Sequence, residues 1–117
     1  MVKADGIILA SPVYVASVPS EMKALIDRAV MVNKANGGLL RRKVGAAVVA
    51  VGRGGMITAS DTLTHFFLQS EMIVPGSSYW SSAIGREKGE AEKDTEGIRT
   101  MQVLGRNMVW LMMKLCK

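Results

Sequence analysis

Apolar positions along the chain fall into two alternating patterns, short continuous runs and longer stretches with a helical repeat. The first run, "GIILA" at residues 6–10, stops at "SP" and predicts a strand buried on both faces of a parallel sheet. After Pro19, the residues Met22, Leu25, Ile26, Ala29 and Val30 keep the i, i+3, i+4, i+7, i+8 spacing of one helix face. Pro19 opens that helix and Gly37-Gly38 close it. A second run, "KVGAAVVAVG" at 43–52, predicts another buried strand that closes on "GRGG". A helix follows from about Thr58 to Glu71, with Leu63, Phe66, Phe67 and Ser70 on one face. "MIVPG" at 72–76 predicts a third short strand, stopped by Pro75-Gly76. The stretch "SSYWSSAIGREKGEAEKD" has no clean period and reads as a loop that leaves room for a strand continuation. The last helix starts at Asp94 or Thr95, either of which can cap it, and carries Ile98, Met101, Leu104, Met108, Leu111, Met112 and Leu115 to the C-terminus.

The order β-α-β-α-β-α predicts an α/β fold, with parallel strands joined by right-handed crossovers and helices on both sheet faces. At 117 residues the chain fits one domain, residues 1–117, and no repeat or linker divides it. Apolar content of 49% and charged content of 21% describe an ordinary globular chain. No apolar run approaches the roughly 20 residues of a bilayer span, and no secretory signal is visible, so a soluble, cytoplasmic protein is expected. The net charge of +5 has its densest stretch in "LLRRK" at 39–43 without interleaved aromatic residues, which favours a solvated loop over a nucleic-acid patch. The single cysteine, Cys116, excludes an intrachain disulfide and a cysteine-only metal cluster, and reads as a thiol at the end of the last helix. Nine methionines, mostly at core-like helical positions, read as gap-filling core residues.

In an open parallel sheet, ligands sit beyond the carboxyl ends of the strands, and here those ends carry "SPVYVASVP" and "GRGGM". Both loops are poor in bulk. Pro12 fixes the turn that leaves the first strand, while Ser11, Ala16 and Ser17 offer small side chains with free amide or hydroxyl donors. Gly52, Gly54 and Gly55 allow backbone angles closed to other residues and let a flat ring lie against main-chain N–H groups. Composition alone leaves two readings of these glycines, a ligand site or simple turns.

The string "ADGIILASPVYVASVPSEMKALIDRA" resembles the "ADGII-x-x-SPVY-x-x-x-x-x-x-x-x-K-x-x-IDR" segment of the NADPH-dependent FMN reductase family, which has a flavodoxin-like fold. "FFLQSEMIVPG" and "GREKGEAEKDTEGIRTMQVLGRNM" are most similar to its iron-sulfur flavoprotein branch. The resemblance covers essentially the whole chain. It implies a three-layer flavodoxin-like parallel sheet in truncated form, about three strands, representing the C-terminal portion of the family domain. It also implies that Ser11, Pro12, Val13, Tyr14, Val15 and Ser17 line the isoalloxazine ring of FMN and that Gly52, Arg53, Gly54 and Gly55 close its other edge. NAD(P)H is the implied electron donor, and an electron-transfer protein a possible partner. A bound flavin carries the redox chemistry itself, so no catalytic acid, base or nucleophile is required. A cation such as Arg53 would favour negative charge added to the ring; the competing reading is a solvated loop arginine.

Three departures from the family pattern bear on this. The family's first two strands, with the loop that holds the FMN phosphate, have no counterpart here. The cysteine motif of the iron-sulfur branch is also missing, so no iron-sulfur cluster is expected from this chain. Met56 and Ile57 stand where relatives often carry glutamine and glutamate. Losing two strands leaves "GIILA" as an unpaired apolar edge, and self-association through it, or through the methionine-rich last helix, is expected. The competing function is a truncated, non-catalytic oligomeric or partner-binding module that has lost flavin. A basic nucleic-acid binder ranks third. His65 has no partner at metal spacing, Tyr79 and Trp80 read as core or interface packing before ring contacts, and Asp27 and Arg28 read as capping and packing residues.

Overall fold

The computed structural model describes residues 1–115, and Cys116, expected at the end of the last helix, lies outside them. Three parallel strands, β1 (Gly6–Pro12), β2 (Val44–Val51) and β3 (Ser82–Ile84), lie in the order β1-β2-β3. Between and after them run α1 (Ser20–Ala35), α2 (Met56–Gln69), a short 3-10 turn at Ala91–Lys93 and α3 (Thr95–Leu115). Helices α1 and α2 cover one face, where Ile26, Leu63, Phe66 and Phe67 pack on Ile7, Leu9 and Val49. On the other face α3 sets Leu104 and Met108 on Val44 and Ala46. The α/β fold with helices on both faces is as the alternation predicts.

The burial pattern of β2 follows from this sandwich. Its valines and alanines are buried or half-buried from both sides except Ala50, as expected of a central strand. Strand β1 departs from the expectation. Its odd positions Ile7, Leu9 and Ser11 are buried under α1 and α2, but on the α3 face Ile8 is 56% exposed, because α3 reaches only as far as Gly6. A run of apolar residues cannot by itself report whether the second face has a cover. The stripe on α1 is also rotated from its expected centre: Ile26 and Asn33 are buried, while Leu25 is 45% exposed. Asn33 earns its place by accepting the Leu40 N–H on Oδ1 at 2.8 Å. Asp27 caps nothing; it sits in mid-helix and pairs with Lys23 at 2.7 Å, while Arg28 lies on the helix surface. On α2 the face of Leu63, Phe66, Phe67 and Ser70 is buried as expected.

The third strand is not at 72–76. Only Ile73 pairs with β2, donating to Lys43 C=O and accepting from Gly45 N–H, each at 2.9 Å. Pro75 has no N–H to continue the ladder, so the chain loops out and returns to the same edge of β2 at Ser82–Ile84. The continuation allowed for in the aperiodic stretch is therefore the strand itself. Asp94 then joins β3 to α3: its carboxylate accepts from Ile84 N–H at 2.8 Å and from Gly97 N–H at 2.9 Å, the latter being the N-cap bond. In the "LLRRK" loop Arg41 is held by Glu71 through Nε at 2.7 Å, with both side chains exposed, as a solvated loop requires.

The backbone N–H groups of Gly97 and Ile84 hold the Asp94 carboxyl below its usual range. Asp94 therefore stabilises the fold above the ordinary aspartate pKa of about 3.9, and this contribution is lost as pH falls through the lower folded value. Acid titration of unfolding should show Asp94→Asn less stable than the parent near neutrality, with the difference shrinking toward acid pH; a constant difference would argue against this role. Separately, the Ser70 hydroxyl is buried with no hydrogen-bond partner among the described residues. Urea unfolding of Ser70→Ala should show about 1 kcal/mol of added stability, since an unpaired buried hydroxyl is removed.

Candidate functional site

Because the strands are parallel, Pro12, Val51 and Ile84 all end on one edge of the sheet, and the loops that follow them meet there. After Pro12 the chain makes a two-residue reversal. Tyr14 N–H donates to Ser17 C=O at 2.9 Å and Ser17 N–H to Tyr14 C=O at 3.0 Å, with Val15 at φ 49° and Ala16 at φ 58° between them. Two successive positive φ angles are the type I′ geometry that normally takes Asn-Gly. A β-branched valine there is strained, at a cost of about 1–2 kcal/mol for the left-handed conformation. The N–H groups of Val15 and Ala16 have no partner among the described residues.

The glycine loop comes up against this turn. Gly55, at φ 88°, is so close that a Cβ on it would stand 2.6 Å from the Ala16 Cα and 3.1 Å from the Val13 Cγ1. Only glycine permits both that angle and that approach. Gly55 is also the N-cap of α2, with no side-chain cap and no acidic residue in the first turn, so the helix presents bare N–H groups. The positive end of the helix dipole and the free amides of the Val15-Ala16 turn thus lie side by side. Gly52, Arg53 and Gly54 are exposed, as are Pro12, Tyr14 and Val15, the last fully so. The two tips form an open ledge of main-chain donors.

The structure brings Gly55 against Val13 and Ala16; Tyr14, Val15 and Ser17 belong to the same turn after Pro12, and Gly52, Arg53 and Gly54 to the same glycine loop, where a Cβ on Gly54 would have no neighbour within 4 Å. It places the Ser11 side chain elsewhere: the residue is 4% exposed and its hydroxyl donates to Pro12 C=O at 2.8 Å, so only its main chain lies near the ledge. Tyr79 and Trp80 lie with ring centroids 5.4 Å apart on the loop before β3 and line a cavity of about 550 Å³ with Ile57 and Thr64 of α2. His65 is exposed on α2, and no group of three metal-ligating side chains occurs among the described residues.

Arg86 escaped the sequence reading. It follows β3, and its Nε donates to Gly52 C=O at 3.4 Å, bringing a second cation beside Arg53's loop. Glu90 fixes this third loop by accepting the N–H of Arg86 at 2.8 Å and of Glu87 at 3.0 Å, which holds its carboxyl below the usual range. The misplaced third strand concealed it: with β3 at 82–84, "GREK" becomes a carboxyl-end loop, where ligand contacts are expected.

Residues 1–87 match the NADPH-dependent FMN reductase family, and the chain belongs to that family. More particularly, it is similar to iron-sulfur flavoproteins. It is 39% identical to one from Methanocaldococcus jannaschii, over 92% of this chain and 58% of that protein, and 38% identical to one from Methanosarcina thermophila, over 84% and 51%. The chain thus spans between about half and three fifths of the length of these relatives. Its fold is that of the crystal structure of a WrbA-like flavodoxin from Agrobacterium tumefaciens, with a TM-score of 0.67, 19% identity, and coverage of 91% of this chain and 69% of that one. The flavodoxin-like parallel sheet expected from the resemblance is what the chain forms. No helix among the described residues is long and apolar enough to cross a membrane.

The contact between the tips can be tested by substitution. Gly55→Ala should lose about 2–3 kcal/mol in chemical denaturation, combining a forced left-handed angle with an overpacked approach to Ala16. Val15→Asn should gain about 1 kcal/mol, because asparagine tolerates the angle that valine resists. A neutral Gly55→Ala would mean that the loops do not touch in solution.

Proposed function

We propose that the ledge holds the ring of FMN and that the chain is the ring-binding part of a flavin-dependent redox protein of the NAD(P)H-dependent FMN reductase type. The observation that carries this reading is the Gly55–Ala16 approach, which sets the free amides of one turn beside the bare N-terminus of α2. A planar heterocycle rich in carbonyl oxygens and ring nitrogens is the ligand that such donors suit. The main chain of Val13–Ser17 would flank it on one side and the loop Gly52–Gly55 on the other. When bound, flavin supplies the redox chemistry itself, with NAD(P)H as donor. What remains for the protein is to bind, orient and tune. The Val15 and Ala16 amides and the α2 terminus favour electron density added at the ring edge, and Arg53, with Arg86 behind it, adds positive charge to the same end of the sheet. The openness of the ledge leaves one ring face accessible to a hydride donor or to an electron-transfer partner protein. Cytoplasmic placement belongs to this reading because the donor is a nucleotide of the cell interior.

Titration of FMN fluorescence with the purified chain should give saturable quenching in the micromolar range. Quenching should be lost in Gly55→Ala while that variant stays folded by circular dichroism in its stable range. A chain that ignores FMN at every accessible concentration would overturn the proposal and leave the non-catalytic partner-binding module. Arg53→Ala should weaken FMN several-fold and move the two-electron midpoint potential negative by about 20–40 mV, equivalent to about 1–2 kcal/mol. Unchanged potential and affinity would make Arg53 a solvated loop residue.

A further inference from the structure

The edge of β2 that is turned away from β1 is paired in two pieces. Near its start Ile73 donates to Lys43 C=O and accepts from Gly45 N–H, each at 2.9 Å, and further on Val49 N–H donates to Ser81 C=O at 3.0 Å, where the register with β3 begins. Odd-numbered residues of β2 therefore turn their main-chain groups to this edge, and even ones serve β1, as Val44 N–H does in donating to Asp5 C=O at 3.0 Å. Between the two pieces the ladder is open. Gly45 C=O, Ala47 N–H and Ala47 C=O have no partner among the described residues. The residue due to donate to Gly45 C=O is Pro75, which has no N–H. Beyond it the chain is fastened to α3 instead: Ser77 Oγ donates to Thr100 C=O at 2.6 Å and Asn107 Nδ2 to Gly76 C=O at 2.8 Å. These bonds hold the loop off the edge and keep the gap open.

Ala47 lines the cavity of about 550 Å³ that Tyr79 and Trp80 share with α2. Ile57, Asp61 and Thr64 come from α2 on one sheet face and Leu104 from α3 on the other, so the cavity crosses the sheet edge at the gap. Its volume suits a small organic ligand. Tyr79 is 62% and Trp80 56% exposed, which leaves their rings free to cover a flat group. Along the strand the open groups read acceptor, donor, acceptor, and the matching ligand edge reads donor, acceptor, donor. Adenine has that order: its amine donates, the adjacent ring nitrogen accepts, and the C–H beyond is a weak donor. The carbonyl, N–H, carbonyl edge of a flavin would set like against like, and a base with a carbonyl in place of the amine fails in the same way. Asp61 is the one charged side chain in the lining among the described residues, and a carboxylate there suits the hydroxyls of a ribose.

We propose that the ladder gap in β2 is an adenosine-binding site, in which Gly45 C=O accepts from the base's amine, Ala47 N–H donates to the neighbouring ring nitrogen, Tyr79 and Trp80 cover the ring and Asp61 takes the ribose. Calorimetric titration of the full chain with adenosine, without flavin, should give saturable binding. Diaminopurine riboside, whose second amine faces Ala47 C=O, should bind about fivefold tighter. Inosine, with a carbonyl and an N–H in place of the amine and ring nitrogen, should bind at least about tenfold more weakly, because it leaves the same groups unpaired. The Ala47 amide proton should move downfield in the NMR spectrum as adenosine is added. Trp80→Ala, at an exposed position, should weaken adenosine about tenfold with the far-UV circular dichroism unchanged. No binding of adenosine at millimolar concentration, equal binding of adenosine and inosine, or an Ala47 amide indifferent to bound adenosine would overturn the proposal and leave the gap to ordered water. Adenosine monophosphate and NADH separate the two sources of the base. Tighter binding of NADH assigns the site to the adenine half of a dinucleotide, equal affinity assigns it to a free nucleotide, and both results support the site. None of these titrations contains FMN, so the site and the flavin reading of the ledge stand or fall separately.

Discussion

The parallel ladder between β1 and β2, running from Gly6 opposite Val44 to Pro12 opposite Ala50, is the constraint on which the rest depends. It fixes the carboxyl ends of both strands at one level, and this is why the turn after Pro12 and the glycine loop after Val51 meet. It also decides which side chains enter the core, since a shift of one residue would exchange Ile7 and Leu9 for Ile8 and Ala10. The same alternation decides which main-chain groups are used within the chain and which are left at the edge. One set of hydrogen bonds thus governs the core, the ledge and the open side of the sheet.

Much of this was legible from the chain itself. The period of α2, the caps of α3 and the valine-rich run of β2 each determine a local structure that tertiary contacts reinforce. The loops of the ledge were legible because their small residues mark close backbone approach. What escaped depends on partners distant in sequence. The run "GIILA" looks doubly buried because it is apolar throughout, yet α3 leaves Ile8 on its second face exposed. "MIVPG" has a strand's composition, but Pro75 withholds the donor that a second pair would need, and the three-residue Ser82–Ile84 segment, too short to show a pattern, takes the remaining edge of β2. Arg86 was hidden behind that same misplacement.

The turn at Val15 and Ala16 runs against local preference. Nothing in "YVAS" favours two left-handed residues, and the geometry is held by the paired hydrogen bonds of Tyr14 and Ser17 and by Gly55 packed beneath Ala16. Conformational strain of this kind persists where surrounding contacts over-determine it, and it tends to gather where backbone groups must be presented outward. Here it aims two amides away from the protein, beside a helix terminus that has no capping side chain. A proteinaceous cap at Gly55 or an asparagine at Val15 would be locally better. Their absence is understandable if the donors are kept for a ligand.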